Sequence, residues 1–254
     1  MLSFRFIAVF FLGAILLAWM IPAEWMKHEV VLSLAPQSPW SSIASIDDVS
    51  WGNGSPYTRI SIKDSQTPLL LSQWSIENER GERAEIGLGT ETFDIGKVPE
   101  LQPILAATNT TLLVSFAPSP LGVSFREHIC SPYLRGTRPF VPALPAQCPE
   151  LSAHPGWNTL DSSCQLLASS LPRCEALSPE HLTDISPSCD AFLRSAPTYT
   201  SCMKDSGVNG LLSSWRIFVA KDQFVKESGG TLILKDDRGM VVDTIEYQTI
   251  GIEE

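Results

Sequence analysis

All six cysteines of the chain, Cys130, Cys148, Cys164, Cys174, Cys189 and Cys202, fall within one stretch, and the sequence on either side of it reads as strands. An even set of cysteines with no C-x-x-C pair is the pattern of a disulfide framework in an oxidising compartment. Zinc is disfavoured: paired short spacings are missing, and His154 and His181 have no ligand pattern around them. No metal is expected. Spacing leaves many connectivities open. Nested local bridges, Cys130 with Cys148, Cys164 with Cys202 and Cys174 with Cys189, staple a helical hairpin most simply.

Disulfides of this kind imply export, and the chain carries a means of it. Phe6 to Ala23 is a run of 18 residues without a charge. At about 1.5 Å per helical residue it spans roughly 27 Å, close to the hydrocarbon thickness of a bilayer. Arg5 lies before it, and Glu24 and Glu29 offset Lys27 and His28 after it, so the positive-inside rule places the long carboxyl part across the membrane. Trp19 and Trp25 bracket its end, where indoles favour the interface. Arg5 and Ala23 also fit a cleavable signal, but the length of the run and the lack of an A-x-A pattern favour a retained anchor. The expectation is a single-pass membrane protein, residues 1–27 forming the anchor and the residues after it lying outside the cytoplasm.

Eighteen Lys and Arg stand against 28 Asp and Glu, a formal charge of −10. Without a cluster of basic residues to displace counterions from phosphates, nucleic acid is excluded as a partner. The acidity reads as solubility.

Between the anchor and Cys130, short segments rich in β-branched or aromatic residues alternate with breakers. They are EVVLSL from Glu29, IASIDDVSW from Ile43, YTRISI from Tyr57, PLLLSQWSIEN from Pro68, RAEIGL from Arg83 and TLLVSF from Thr111. Residues 131–210 are proline-rich, and only Trp157 to Ser170 and Ser188 to Arg194 have helical periodicity. Helices so short need outside support, which bridges at their ends supply. Strands return with SSWRIFVA, TLILKD and MVVDTIEY, the last two joined by Asp237-Arg238-Gly239, a tight hairpin in which the glycine supplies positive φ. The predicted plan is a β-sandwich made of residues 28–130 and 211–254, interrupted by a cysteine-rich helical insertion at 131–210. The closing strands must then pair with the opening ones across the insertion.

LLLSQWSIENERGERAEI, through Leu71, Ser72, Trp74, Asn78 and Gly81, resembles the central motif of lamin tail domains, in which a Leu-Ser-x-Trp strand precedes an Asn-x-x-Gly turn. TLILKDDRGMVVDTIEY resembles their closing hairpin, through Leu234, Asp237, Gly239, Val242, Asp243 and Tyr247. SPLGVSFREHIC, LPAQCP, LPRC and SSWRIFVA are similar to cysteine-rich lamin-tail-like proteins of candidate phyla bacteria. The resemblance spans Ile43 to Tyr247. It implies an immunoglobulin-like β-sandwich that binds or positions other molecules and performs no chemistry. The opening strand pair of the family is degenerate here, reading YTRISI, and the insertion is foreign to nuclear lamins, so nuclear location does not carry over.

Trp74 and Trp215 read as core residues. On strict alternation Asp243 shares a face with Val241, Ile245 and Tyr247, an inward carboxylate that needs hydrogen-bonded partners and fits a structural cap. No G-x-S-x-G, H-E-x-x-H or glycine-rich phosphate loop occurs, and no cofactor is expected. His128 beside Glu127 and Cys130 is the one arrangement that suggests a thiol and a base, and Cys130 reads more simply as half of a disulfide. Asn53-Gly54-Ser55 and Asn109-Thr110-Thr111 match the glycosylation acceptor pattern and serve as loop markers. The function expected is a non-catalytic binding or structural module of the cell envelope with a protein or envelope partner, which contacts it through the insertion and its flank at Pro139 to Pro149. A secreted, disulfide-stapled hydrolase of wall polymers is the alternative, and an accessory subunit of a membrane complex a third.

Overall fold

Strand β2 (Ser55–Ile62) shows the logic of the domain: Thr58, Ile60 and Ile62 are buried while Arg59 between them is exposed, the period of two that a half-buried strand requires. The structure is a computed structural model that describes residues 36–136, 139–174 and 185–248. The fold is mainly β. Strand β1 (Ala44–Gly52) turns into β2 at Asn53-Gly54, both at positive φ, the chemistry of a two-residue hairpin turn. The remaining strands are β3 (Leu69–Leu70), β4 (Ser75–Asn78), β5 (Arg83–Glu85), β6 (Gly89–Thr90), β7 (Leu105–Ala106), β8 (Thr110–Ser115), β9 (Ser124–His128), β10 (Leu211–Phe218), β11 (Gly230–Lys235) and β12 (Val241–Tyr247). A six-stranded sheet runs β1-β2-β8-β10-β9-β6, a four-stranded sheet β12-β11-β4-β5, and β3 pairs with β7 in a small ribbon.

Both large sheets feed one apolar core. Ile46, Ile60, Ile62, Leu112, Val114, Trp215 and Ile217 enter it from the six-stranded sheet, and Trp74, Ile76, Ala84, Leu232, Leu234, Val242 and Tyr247 from the four-stranded one. The closing strands do pair with the opening ones. β10 lies between β8, to which it is parallel, and β9, to which it is antiparallel, while β11 pairs with β4.

The cysteine-rich segment leaves from the end of β9 and returns into its neighbour β10, so it covers the outer face of the six-stranded sheet. There Phe125 and Phe218 of the sheet meet Leu134, Phe140, Leu144, Tyr199 and the Cys130–Cys202 bridge in a second core. A third, smaller core lies within the segment around helices α1 (Ser162–Ser170) and α2 (Pro187–Ser195). The described residues from Ser38 onward, those of the cysteine-rich segment among them, form one compact unit.

Several expectations need correction. The three bridges are Cys130–Cys202, Cys148–Cys174 and Cys164–Cys189, so none of the nested local pairs forms. The long bridge replaces a local one because helix α3 (Tyr199–Ser206), too polar to show in the pattern, brings Cys202 back to the end of β9. PLLLSQWSIEN is not one strand. Gln73 turns at φ 87, and the chain passes from β3 in the ribbon to β4 in the sheet. The helix expected from Trp157 begins instead at Ser162, because the Asp161 side chain caps it, and Trp157–Thr159 is a separate 3-10 turn. Strand β9 lies in a segment without clear strand alternation. EVVLSL and the run Phe6 to Ala23 fall outside the described residues, and among those residues no helix is long and apolar enough to cross a membrane.

Candidate functional site

Alternation along β10 sends Trp215 and Ile217 into the core between the sheets and turns Arg216 and Phe218 toward the cysteine-rich segment. On β9, Phe125 and Glu127 face the same way. Arg216 is 2% exposed and Glu127 6%, so the pair they form is cut off from water. The Arg216 Nε donates to Glu127 Oε1, and its terminal nitrogens donate to the carbonyls of Pro142 and Ala143. Ser214 Oγ donates to the other Glu127 oxygen at 2.5 Å. A buried charge pair holds only when its remaining donors and acceptors are also met, and here the insertion's own backbone meets them. Arg216 thereby fastens residues 142–143 to the sheet.

His128 follows on the same strand, also buried. Its Nδ1 accepts from the Cys130 N–H at 3.1 Å, which leaves Nε2 as the donor to the Gly207 carbonyl at 2.8 Å. The ring packs so closely on Gly210 that a Cβ there would fall 2.2 Å from its Cε1. Glu127, His128 and Cys130 are thus brought together, as their sequence proximity suggested. Cys130 is bonded to Cys202, however, and both imidazole nitrogens are engaged by backbone.

Beside these residues a cleft of about 590 Å³ opens between the sheet and the insertion, lined by Glu127, Ile129, Pro132, Pro145, Pro149 and Leu212 among others. Prolines and the Cys148–Cys174 bridge give it stiff walls, and a Glu150–Arg173 ion pair of 2.5 Å stands on its lining. Ile129 and Leu212 are large side chains left over a third exposed there. The arrangement can hold an apolar group; the polar atoms at its base already have protein partners. Nearby, burial pushes up the phenol of Tyr133, whose Oη donates to the Pro149 carbonyl. Burial, with the Asp94 carboxylate adding to it, raises that of Tyr199, which donates to Phe93 O at 2.8 Å.

Sequence reading missed a second polar group. His154 Nε2 lies 3.3 Å from both Asp205 Oδ2 and Ser201 Oγ. Serine and carboxylate share one ring nitrogen while Nδ1 accepts from Gly156 N–H, so no relay runs from carboxylate through imidazole to hydroxyl. Only α3, itself unforeseen, brings these residues together. Among the described residues no group of three or more His, Cys, Asp or Glu is placed to hold a metal ion.

The other residues singled out lie elsewhere. Trp74 and Trp215 are buried in the shared core, and Gly81 and Gly239 each sit at φ +76 in a hairpin turn. Asp243 accepts from Ile46 N–H at 2.7 Å, binding the backbone of a neighbouring strand rather than a loop. A bulge in β12 puts Val242 into the shared core with Tyr247 and Ile245, while Val241, also buried, lies outside that cluster. Tyr247 Oη accepts from Lys226 N–H at 3.1 Å. Asn53 and Asn109 are exposed at positive-φ turns. Comparisons with protein-family models, curated proteins and solved structures find no match for this chain.

Proposed function

We propose that this protein is a non-catalytic binding or structural module of the cell envelope, a lamin-tail-like, immunoglobulin-like sandwich held to a membrane by residues 6–23, with a protein or envelope partner on its insertion. The observation that carries the reading is the way the insertion is fixed: the Arg216–Glu127 pair and the Cys130–Cys202 bridge hold a proline-rich surface rigidly on the sheet. A pre-organised surface loses little freedom on binding, which favours recognition. The polar groups near the cleft serve this attachment, a use that favours a module over a hydrolase. Support for the lamin-tail resemblance comes from the two sheets around one core and from the turn built by Asn78 and Gly81.

A photo-crosslinking residue at the exposed Gln147 tests this in intact cells, with the exposed Glu246 on β12 as the reference position. A discrete product at 147 and none at 246 is the expected result; none at 147 overturns the assignment of the contact surface. Alkylation of the native protein should find no reactive thiol, and six reactive thiols would remove the exported, disulfide-stapled reading.

A further inference from the structure

The two open sides of the paired sheets differ. On one, edge strands β1 and β12 are joined by the Asp243–Ile46 bond, and the segment before β1 is held to β12 by Ser38 N–H to Val241 O at 2.8 Å. On the other, edge strands β5 and β6 are followed by a segment that carries much of the protein's exposed apolar surface. Six of the ten large hydrophobic residues left exposed among the described residues fall between positions 70 and 105: Leu70, Leu88, Ile95, Val98, Leu101 and Leu105. They are structurally connected. Leu70 and Leu105 are direct cross-strand partners in the ribbon, and Ser72 Oγ ties the ribbon to Gly87 O and Ile104 N. The Gly89–Gln102 bridge sets Leu88 and Leu101 beside them. Val98 is 95% exposed and Ile95 58%, both on the loop that leaves β6. Apolar patches of this kind mark a surface meant to be covered.

We propose that this side of the domain lies on the lipid interface of the membrane to which the chain is anchored; the inference rests on the anchor reading above. The charges around the loop are largely neutralised in place, Asp94 by Lys97 at 2.9 Å and Glu91 by Arg126 at 3.3 Å, which lowers the cost of bringing it to headgroups. Glu100 remains exposed, so the patch suits zwitterionic rather than anionic lipid. The tether permits the contact. Residues Glu24 to Gln37 separate the apolar run from Ser38 and reach at most about 50 Å. A domain of this length has a radius of gyration of about 17 Å and a width of about 45 Å, so the tether, which enters on the β1–β12 side, is as long as the domain is wide.

The test uses the full chain in phosphatidylcholine proteoliposomes, with Val98→Cys labelled by bimane. All cysteines of the described residues are bonded, so only the new thiol reacts. Interfacial side chains sit roughly 5–10 Å into the headgroup boundary. Lipid brominated at a shallow acyl position should therefore quench and blue-shift the label at 98 and leave one at Glu246→Cys, on the opposite edge strand, unchanged. Ile95→Asp should abolish the quenching of a label at Leu105→Cys, and added salt should not. Equal quenching at 98 and 246, or none at 98, overturns the proposal while the anchor reading stands. Release of the chain by alkaline extraction overturns both.

Discussion

Asn78 and Asp236 occupy the same position in two matching hairpin turns of the four-stranded sheet. Asn78-Glu-Arg-Gly81 joins β4 to β5, and Asp236-Asp-Arg-Gly239 joins β11 to β12. In each, the first residue's side-chain oxygen accepts from the N–H two and four residues on, its backbone N–H reaches the carbonyl four residues on at 3.0 Å, and the glycine sits at φ +76. The second contacts differ: Asn78 Nδ2 donates to the buried Phe224 carbonyl at 3.0 Å, whereas Asp236 Oδ2 accepts from Ser38 Oγ at 2.8 Å.

The two side chains therefore do not exchange equally. Asn78→Asp keeps the turn but sets a carboxylate against a buried carbonyl, at a cost of about 1–3 kcal/mol for the lost donor. Asp236→Asn keeps the accepting oxygen, and its amide can donate to the Ser38 hydroxyl, so it should lie within about 0.5 kcal/mol of the parent. Denaturant titration of the two variants measures the difference, and equal losses would show that the second contacts carry no weight.

Such turns were legible because their chemistry is local: Asp237-Arg238-Gly239 and Asn78 with Gly81 identify themselves within four residues. The bridges were not, since sulfur pairing depends on where helices dock. One signal was nonetheless available. Asp161-x-x-Cys164 and Ser186-x-x-Cys189 have the same spacing because each cysteine stands three residues after an N-cap whose oxygen accepts its N–H, and the Ser186 hydroxyl donates to Asp161. The two first turns lie side by side, and the bridge joins them. The polar groups around the cleft were half visible: Glu127 and His128 could be named, but Arg216, distant in sequence and inside a strand-like run, gave no sign of its partner.

Removing one half of the Arg216–Glu127 pair leaves a charge buried without its counterion. Arg216→Met should cost about 3–5 kcal/mol, and Glu127→Leu a comparable amount. The double variant should recover part of this, because two apolar side chains face each other where neither charge remains. A double-mutant cycle on thermal unfolding measures the coupling. Strict additivity would mean that the pair does not fasten the insertion.

Asp243 links the two edge strands at a point where β1 is bulged between Ile46 and Asp48. Asp243→Ala deprives the Ile46 N–H of its acceptor and should lower stability by about 1–2 kcal/mol, with faster amide exchange at Ile46. Asp243→Asn retains an accepting oxygen and should lose less. An unchanged melting temperature in the alanine variant would remove the structural role assigned to this carboxylate.

The cap of α1 makes that helix sensitive to acid. The Ser163 hydroxyl first, then the Cys164 N–H, hold the Asp161 carboxyl below its ordinary value of about 3.9. A carboxylate whose pKa is lowered by folding adds stability that is complete above the ordinary value and is lost as pH falls through the folded one. At neutral pH the cap is therefore intact, and titration below about pH 4 should loosen the first turn of α1. Exchange of the Cys164 amide followed against pH would report this as an acid limb. Asp161→Asn caps without titrating and should abolish that limb while leaving the neutral-pH helix in place. A limb that persists in this variant would assign the acid sensitivity to another carboxylate.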